Sequence, residues 1–329
     1  MKKSLLFTLF LLGCVCQSMA QNLHYNKDGK FKIVQFTDVH YIYQDPRSSI
    51  SIECIHDVLD AEKPELIIFT GDLIYGKPAD KSMSYLLEEV SKHKIPFAVT
   101  FGNHDDELGM TCEELYQLIK KIPYNVTSTT PGISGVTNYI LPVSSCHTDS
   151  VAQVLYLFDS NSYSPINGVK GYAFIDFNQI QWYCEQSKKF TAQNQDTPVP
   201  SLAFFHIPLP EYNQASQTEQ APVFGIRKER ACSSQLNSGL FAAMKKMGDI
   251  QGVFVGHDHD NDYAVMWHDI LLAYGRYTGG NTVYNNLPNG ARVIELTEGK
   301  PGFRTWIRLK NNKVEQEVTF PDSFLRLNK

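Results

Sequence analysis

Residues 99–107 read VTFGNHDDE, so an apolar run passes directly into a glycine, an amide, an imidazole and three acids. The apolar run, residues 97–101, has the length and composition of a buried strand. Asn103 and His104 therefore stand side by side where a strand ends. In open α/β sheets, binding sites assemble outside the carboxyl ends of the strands. This stretch indicates an α/β fold with a site at the strand ends, provided that other strands end in the same way.

The surrounding sequence alternates between strand-like and helix-like segments. Short apolar runs predict strands at residues 31–37, 66–70, 97–101, 154–158, 202–205 and 253–255. Helical periodicity lies between the early runs, at residues 52–59, 83–90 and 113–119. Such β-α-β alternation favours mainly parallel strands covered by helices. Later runs at residues 270–274, 291–296 and 303–309 are joined by Gly, Asn and Pro, which is typical of hairpins.

The first twenty residues have the features of a signal peptide. Two lysines precede a short apolar run, and Ser18 and Ala20 supply the small residues that a signal peptidase reads. The run is too short to span a bilayer as a helix. We therefore predict an exported protein, periplasmic or extracellular, that begins at Gln21 after residues 1–20 are removed. The alternative is a lipoprotein anchored through Cys14.

Composition argues against some classes of function. The chain has 329 residues and a formal net charge of −5, and the basic start makes the rest still more negative. That charge argues against a non-specific nucleic-acid surface, which would need a basic stripe. Five cysteines follow the start with no CxxC pair, so neither a zinc knuckle nor a dense disulfide framework is indicated. No linker divides the remainder, so we predict a single domain over residues 21–329, with its motifs in residues 31–296.

The other predicted strands also end in polar groups. Including the quoted stretch, the residues at five strand ends are Asp38, His40, Asp72, Asn103, His104, Asp105, His206, His257 and His259. Carboxylates and imidazoles are the ligands of borderline divalent ions such as Zn²⁺, Mn²⁺ or Fe²⁺. Two such ions can share a bridging carboxylate and clamp a phosphoryl oxygen. Since a single ion would not use so many groups, the pattern favours a two-metal centre.

The motifs resemble those of a known family. The ordered series Asp-x-His, Gly-Asp, Gly-Asn-His-Asp, His and Gly-His-x-His, from residue 38 to residue 259, resembles the calcineurin-like metallophosphoesterase superfamily. The longer motifs, DVHY at residues 38–41 and GHDHDNDY at residues 256–263, resemble those of the branch related to plant and fungal purple acid phosphatases. The resemblance implies a four-layer α/β/β/α sandwich with two mixed β-sheets. It implies that one metal ion is bound by Asp38, His40, Asp72 and His259, and the other by Asp72, Asn103, His206 and His257.

One position departs from the pattern of true purple acid phosphatases. Those enzymes carry no ligand at the position of His40, and they bind Fe(III) through a tyrosine three residues after the bridging aspartate. Both His40 and Tyr75 are present here. A neutral imidazole suits a divalent ion, so we predict that His40 is a ligand and that Tyr75 packs against the site. The identity of the two ions, zinc, manganese or iron, stays open.

Three further residues are candidates for catalysis or substrate binding. The resemblance implies that His104 is not a ligand, and an imidazole beside two cations can bind the substrate phosphate or protonate the leaving oxygen. Asp105 is predicted to orient the His104 ring, with a cap on the following turn as the alternative. Arg276, in AYGRYTGG at residues 273–280, could contact phosphate through its guanidinium fork or be a surface arginine on a hairpin. The long segment at residues 207–232 is expected to shape substrate access.

These observations predict an exported metal-dependent phosphatase or phosphodiesterase. Its two ions would activate a water molecule as hydroxide for attack on a phosphorylated small molecule, protein or lipid. One alternative is a phosphate-binding or partner-binding module that has kept the fold without turnover. The other alternative is a nuclease or a phospholipid phosphodiesterase, against which the acidic charge speaks mildly.

Overall fold

Two β-sheets, each covered by helices, organise the chain. The computed structural model describes residues 22–219 and 221–325, so the predicted signal peptide, Cys14 and the start at Gln21 lie outside the described residues. The strands are β1 (Leu23–His24), β2 (Lys30–Phe36), β3 (Leu66–Thr70), β4 (Phe97–Thr100), β5 (Tyr139–Ser144), β6 (Val151–Leu157), β7 (Ser201–Phe204), β8 (Val223–Phe224), β9 (Ile250–Val255), β10 (Ala264–Trp267), β11 (Ile270–Tyr274), β12 (Gly290–Thr297), β13 (Phe303–Leu309) and β14 (Val314–Phe320). The helices are α1 (Ser49–Glu62), α2 (Ala79–Ser91), α3 (Cys112–Ile119), α4 (Phe177–Gln193), α5 (Glu211–Ser216), α6 (Leu240–Met247) and α7 (Asp322–Leu325), with a 3₁₀ helix at Pro46–Ser48.

Both sheets are mixed. The six-stranded sheet has the order β14-β13-β12-β2-β3-β4, in which β2, β3 and β4 are parallel and β12 runs antiparallel to β2. The eight-stranded sheet has the order β1-β5-β6-β7-β9-β11-β10-β8, in which β6, β7, β9 and β11 are parallel. The hairpins predicted near the C-terminus are present as the antiparallel pairs β10–β11 and β12–β13.

Three apolar cores define four layers. Helices α1, α2 and α3 pack on the outer face of the six-stranded sheet, and α4, α5 and α6 pack on the outer face of the eight-stranded sheet. The third core lies between the sheets. Strand β2 shows how one segment serves two cores, because Phe31 and Ile33 face the other sheet while Val34 and Phe36 face the helices. The predicted α/β/β/α sandwich is confirmed.

Local sequence explains where two of the helices begin. Thr111 caps α3, and its hydroxyl and the Glu114 carboxylate accept each other's backbone N–H in a capping box. Asp176 and Gln179 form the same arrangement at the start of α4. No helix of the described residues is long and apolar enough to cross a membrane. All five cysteines in the described part of the chain are free.

The strands that carry the polar motifs end at one edge of the sandwich. In register, Phe36 lies opposite Phe69 and Thr70 opposite Thr100, so β2, β3 and β4 end together. Strands β7 and β9 end together in the other sheet. The two sheets are joined near this edge by a hydrogen bond of 3.0 Å from Gln35 Nε2 to the Val255 carbonyl. Ligands from both sheets can therefore meet.

Candidate metal centre

The backbone at the strand ends is held in an uncommon conformation. Four of the predicted ligands have positive φ angles: Asp38 (53°), His40 (47°), Asp72 (52°) and His257 (80°). Residues other than glycine rarely adopt this region, and each such residue costs roughly 1–3 kcal/mol. Backbone hydrogen bonds between the loops that follow β2 and β3 fix this conformation, including the bond from Asp38 N–H to the Gly71 carbonyl at 3.1 Å. Strain of this kind at candidate ligands is typical of a functional site.

Glycines allow the strand ends to approach one another closely. A Cβ atom on Gly102 would collide with the Asp72 carboxylate. A Cβ atom on Gly256 would collide with Thr37 Oγ1 and would lie 2.7 Å from Asp38 Oδ2. The glycines before Asn103 and His257 are therefore required by the contact between neighbouring strand ends.

The first group of ligands consists of Asp38, His40 and His259, whose ligand atoms lie within 4.8 Å of one another. His259 Nδ1 lies 2.9 Å from the Tyr284 carbonyl, which can only accept a hydrogen bond, so Nε2 is left for a metal ion. That Nε2 is 3.5 Å from Asp38 Oδ1. The Asp38 carboxylate is in turn held by the backbone N–H of His257.

The second group consists of Asp72, His206 and His257, again within 4.8 Å. His206 Nδ1 lies 2.8 Å from the Thr70 carbonyl, which leaves Nε2 to face the centre. Asp72 Oδ2 is 3.1 Å from His206 Nε2 and 3.5 Å from His40 Nε2. One oxygen of Asp72 thus lies between the two groups, where a carboxylate that bridges two ions would lie.

Buried polar atoms without partners test whether this site fits metal ions. Both ring nitrogens of His40 and both amide atoms of Asn103 are buried and have no hydrogen-bond partner in the described residues. A buried polar group left unsatisfied costs roughly 1–3 kcal/mol. Metal ligation would satisfy an imidazole nitrogen and an amide oxygen at these positions. With carboxylates and imidazoles but no thiolate in these groups, the residues fit two borderline divalent ions.

The electrostatics of the metal-free site favour cations. Burial alone would raise the pKa of Asp38, but the hydrogen bond from His259 and the charges of His206 and His259 bring it to about 2. Burial lowers the pKa of His206, but the charge of Asp72 overrides this and raises it to about 10. Burial and the charge of His206 lower the pKa of His257 to about 3. The Asp38 carboxylate is therefore ionised, and its negative charge favours cations nearby.

A sequence model of calcineurin-like phosphoesterases matches residues 31–261, which is most of the chain. The chain belongs to the calcineurin-like phosphoesterase family. It is 33% identical to a protein of Arabidopsis thaliana named probable inactive purple acid phosphatase 29, over 94% of this chain and 89% of that protein. It is also 33% identical to phosphatase DCR2 of Saccharomyces cerevisiae, over 90% of this chain but only 56% of that protein.

Solved structures share the fold of this chain. A dimetal phosphatase from Danio rerio superposes with a TM-score of 0.61 at 11% identity, over 88% of this chain and 98% of that one. GAP50, described as the anchor in the inner membrane complex of Plasmodium, superposes with a TM-score of 0.55 at 14% identity, over 88% of each chain. At these identities the likeness concerns the fold alone.

Asp105 does not orient His104 in the structure, so that prediction is wrong. Its buried carboxylate accepts backbone N–H groups from Asp72 (3.0 Å), Leu73 (2.8 Å), Ile74 (3.2 Å) and Gly102 (2.8 Å). The alternative was that Asp105 caps the turn that follows it. Asp105 does accept backbone N–H groups, but three of them belong to the loop that follows β3. Burial and the charge of Asp72 raise the pKa of Asp105 to about 7. Asp105 therefore holds the backbone of the bridging residue.

Glu107 makes the contact with His104 that was predicted for Asp105, and Tyr163 in turn contacts Glu107. Neither residue was predicted from the sequence. His104 Nδ1 lies 2.7 Å from Glu107 Oε2, and the Tyr163 hydroxyl donates to Glu107 Oε1 at 2.7 Å. His104 is also anchored through its backbone N–H to Asp72 Oδ1 at 2.9 Å. A ligand-type atom of His104 lies within 4.8 Å of those of His40 and Asp72, so the imidazole stands at the edge of the centre. The spacing of three residues between His104 and Glu107 was the available signal.

Arg276 is not a phosphate contact, and that prediction is also wrong. Its side chain is fully buried and paired with Asp262, and its Nη1 donates to the Pro288 carbonyl at 2.9 Å. No part of the guanidinium is exposed to a substrate. The surface alternative is equally wrong, because the Arg276 side chain is fully buried beside Asp262.

Tyr75 lies against the centre through its ring. The ring is edge-on to His40, with centroids 5.2 Å apart, and to His104, with centroids 5.1 Å apart. It is also partly exposed. In this geometry Tyr75 packs against one predicted ligand and the candidate acid.

Proposed function

We propose that this protein is a metal-dependent phosphoesterase. The observation that carries the proposal is the position of Asp72 Oδ2, between His206 Nε2 at 3.1 Å and His40 Nε2 at 3.5 Å. A carboxylate oxygen flanked by two groups of ligands is the arrangement that a pair of divalent ions requires. Two such ions supply a nucleophile at neutral pH and offset the negative charge that develops on a phosphoryl group.

The residues of the chain have separate roles in metal binding and in substrate binding or proton transfer. Asp38, His40 and His259 would hold one ion, Asn103, His206 and His257 would hold the other, and Asp72 would serve both. Asn103 supplies a neutral oxygen, which limits the negative charge concentrated in the site. His104 binds the substrate phosphate or donates a proton to the leaving oxygen, and Glu107 keeps its ring in place through the 2.7 Å contact at Nδ1.

We also propose that the protein is exported and acts on a phosphorylated substrate outside the cytoplasm. The support is the basic and apolar start followed by Ser18 and Ala20. The ions proposed are zinc, manganese or iron, because imidazole and carboxylate ligands suit all three.

A second candidate function is phosphate binding without turnover. It is favoured by the names of relatives such as probable inactive purple acid phosphatase 29. Against it, each predicted ligand stands at a strand end of this chain, and six of them form two compact groups, with Asn103 buried and unpartnered nearby. A protein that had lost turnover would have no need to keep seven ligands in a partly strained backbone. We therefore favour catalysis.

The test is hydrolysis of 4-nitrophenyl phosphate and bis(4-nitrophenyl) phosphate by the full mature chain. We expect turnover that chelation abolishes and that added zinc, manganese or iron restores. Asp72→Asn should reduce turnover to background, whereas Asp60→Asn, which alters an exposed aspartate on α1, should not. The ratio of the two substrates distinguishes a monoesterase from a diesterase. A protein that binds two ions and inorganic phosphate yet hydrolyses neither ester would be the non-catalytic module.

A further inference from the structure

A cavity of about 870 Å³, lined by both polar and apolar groups, adjoins the metal centre on the side of His257. The two are linked by Tyr172, which lines the cavity and whose ring stands perpendicular to His257 with centroids 4.3 Å apart. A substrate whose phosphate is held at the centre therefore has space for a further group one aromatic ring away. A volume of this size suits a small molecule.

The walls of the cavity are fixed relative to the metal ligands. Helix α5 forms one wall, and its Asn213 side chain exchanges two hydrogen bonds with the backbone of Ala231, at 2.7 and 3.0 Å. The next residue, Cys232, donates its backbone N–H to the Asp258 carboxylate at 3.1 Å. Asp258 lies between the ligands His257 and His259 in the sequence. The segment at residues 207–232, expected to shape substrate access, thus contributes both α5 and this second wall.

The charge of the lining is one-sided. Lys170 and Arg230 are exposed in the cavity, and among the described residues no aspartate or glutamate lines it. Neither cation forms an ion pair with any acid in residues 22–219 and 221–325. In a chain with a net charge of −5, two unpaired cations in an acid-free cavity favour an anionic ligand.

We propose that the cavity binds a second anionic group of the substrate, so that the substrate class is a small organic phosphate ester whose leaving group carries a carboxylate or another phosphate. Lys170 and Arg230 are the specificity-determining residues. This inference rests on the proposed function, because it takes the phosphate at the metal centre as its starting point. Exposed polar side chains such as Gln214, Gln217 and Gln235 line the rest of the cavity and suit a hydroxylated carbon skeleton.

The experiment compares four aryl phosphates that differ only in the group attached to a carbon at the 4-position of the ring. That carbon insulates the ring electronically, so the four leaving groups are similar. The compounds are 4-methylphenyl, 4-(carboxymethyl)phenyl, 4-(phosphonomethyl)phenyl and 4-(aminomethyl)phenyl phosphate. For the wild-type chain we expect kcat/KM to be about three- to tenfold higher for the two anionic compounds than for the methyl compound, the size of one or two exposed ion pairs. The aminomethyl compound should be the poorest. The ratio of carboxylate to phosphonate distinguishes the two sources of the second charge.

Charge reversal identifies the residues responsible. Lys170→Glu combined with Arg230→Glu should abolish or invert the preference for the anionic compounds. The matched control is Lys27→Glu combined with Lys300→Glu, which changes the net charge by the same amount. Both lysines are exposed, Lys27 just before β2 and Lys300 between β12 and β13, whereas Asp38 follows the other end of β2. The control should keep the wild-type preference. Equal kcat/KM for the methyl and anionic compounds, or an unchanged preference in the Lys170/Arg230 variant, overturns the inference. So does an equal loss in the control.

A binding measurement separates this inference from the proposed function. Calorimetry would compare 4-(carboxymethyl)benzylphosphonate with 4-methylbenzylphosphonate, neither of which can be hydrolysed. Tighter binding of the carboxylate, lost in the Lys170/Arg230 variant, supports the cavity even if no ester is hydrolysed. Equal binding of the two phosphonates contradicts the cavity even if 4-methylphenyl phosphate is hydrolysed well.

Discussion

At the scale of single residues, the acids near His104 show how partners decide a role. Asp105 is adjacent to His104, yet all its hydrogen bonds go to backbone N–H groups of two loops. Glu107, three residues along, contacts the imidazole instead. Sequence proximity suggested the first acid, but its buried position beside Asp72 directs it to the unsatisfied backbone donors there. The side chain with freedom to reach the ring is the exposed one.

Glu107→Gln should lower turnover without removing metal. The imidazole loses a carboxylate partner, so kcat should fall by roughly tenfold or more, the usual cost of losing a group that orients a functional histidine. The fall should be larger for an alkyl phosphate than for 4-nitrophenyl phosphate, because a good leaving group departs without a proton. The measurement is kcat on both substrates together with elemental analysis. Asp106→Asn is the neighbouring control, and a lost metal ion in Glu107→Gln would show that this acid supports a ligand.

Asp105→Asn should have the opposite profile. An amide cannot accept four N–H groups, so the loop that carries Asp72 should loosen and metal affinity should fall by about 10–100-fold. Once the variant is saturated with metal, kcat should recover most of its wild-type value. A metal titration followed by activity at saturating metal checks this. A variant with normal metal affinity and low kcat would return Asp105 to the catalytic role first predicted for it.

At the scale of elements, the sequence predicted strands made of buried apolar residues and missed strands that carry exposed or polar residues. Strands β2, β3 and β4 are buried on both faces, so their apolar runs were unambiguous. Strand β14 reads VEQEVTF and forms the edge of its sheet, where no apolar run is needed. Tyr163 could not be found at all, because it lies in a connection whose path depends on the packing of both sheets. The candidate ligands could be located from the sequence because each follows a recognisable strand, and their role as ligands stays a prediction.

Glu62→Gln should weaken the attachment of α1 to the six-stranded sheet. Glu62 accepts hydrogen bonds from Trp306 Nε1 (2.9 Å), Arg308 Nε (2.6 Å) and Lys32 Nζ (3.1 Å). Replacing a charged acceptor should cost roughly 1–3 kcal/mol of unfolding free energy at pH 7. The measurement is chemical denaturation, with Glu53→Gln on the same helix as a control that removes only an exposed ion pair.

The pH dependence of that difference has a definite sign. Burial raises the pKa of Glu62, but the bonds from Trp306 and Arg308 and the charge of Lys32 prevail and hold it below its ordinary value. The stabilisation is therefore fully present above the unfolded-state pKa of about 4.3 and is lost as pH falls through the lowered folded-state value. The wild-type and Glu62→Gln stabilities should converge in acid. A gap that widens below pH 4 would contradict the assignment.

At the scale of the whole molecule, the proposed metal centre joins the two sheets. Asp38, His40, Asp72 and Asn103 follow strands of one sheet, whereas His206, His257 and His259 follow strands of the other. Ions bound by both sets would stabilise the complete fold rather than one loop. Metal loading should therefore raise the melting temperature, and the protein should still unfold in a single transition. When the free metal concentration is a thousand times Kd, mass action stabilises the folded state by about 4 kcal/mol.

That stabilisation should depend on pH. In the metal-free protein the charge of Asp72 raises the pKa of His206 to about 10, so His206 is protonated at neutral pH and must release its proton to bind metal. Apparent metal affinity should rise about tenfold per pH unit between pH 6 and pH 8 for one released proton. Calorimetry in two buffers with different ionisation enthalpies counts the protons released. Affinity that does not change with pH would contradict a protonated His206 in the metal-free state.

The bridging of two ions by Asp72 is central to the proposed function. Its most direct test is anomalous X-ray diffraction from crystals of the mature chain loaded with zinc or manganese, collected at the absorption edge of the metal. We expect two peaks about 3.5–4 Å apart, one beside Asp38, His40 and His259 and the other beside Asn103, His206 and His257, with Asp72 between them. A single peak, or no peak in metal-replete crystals, would contradict it.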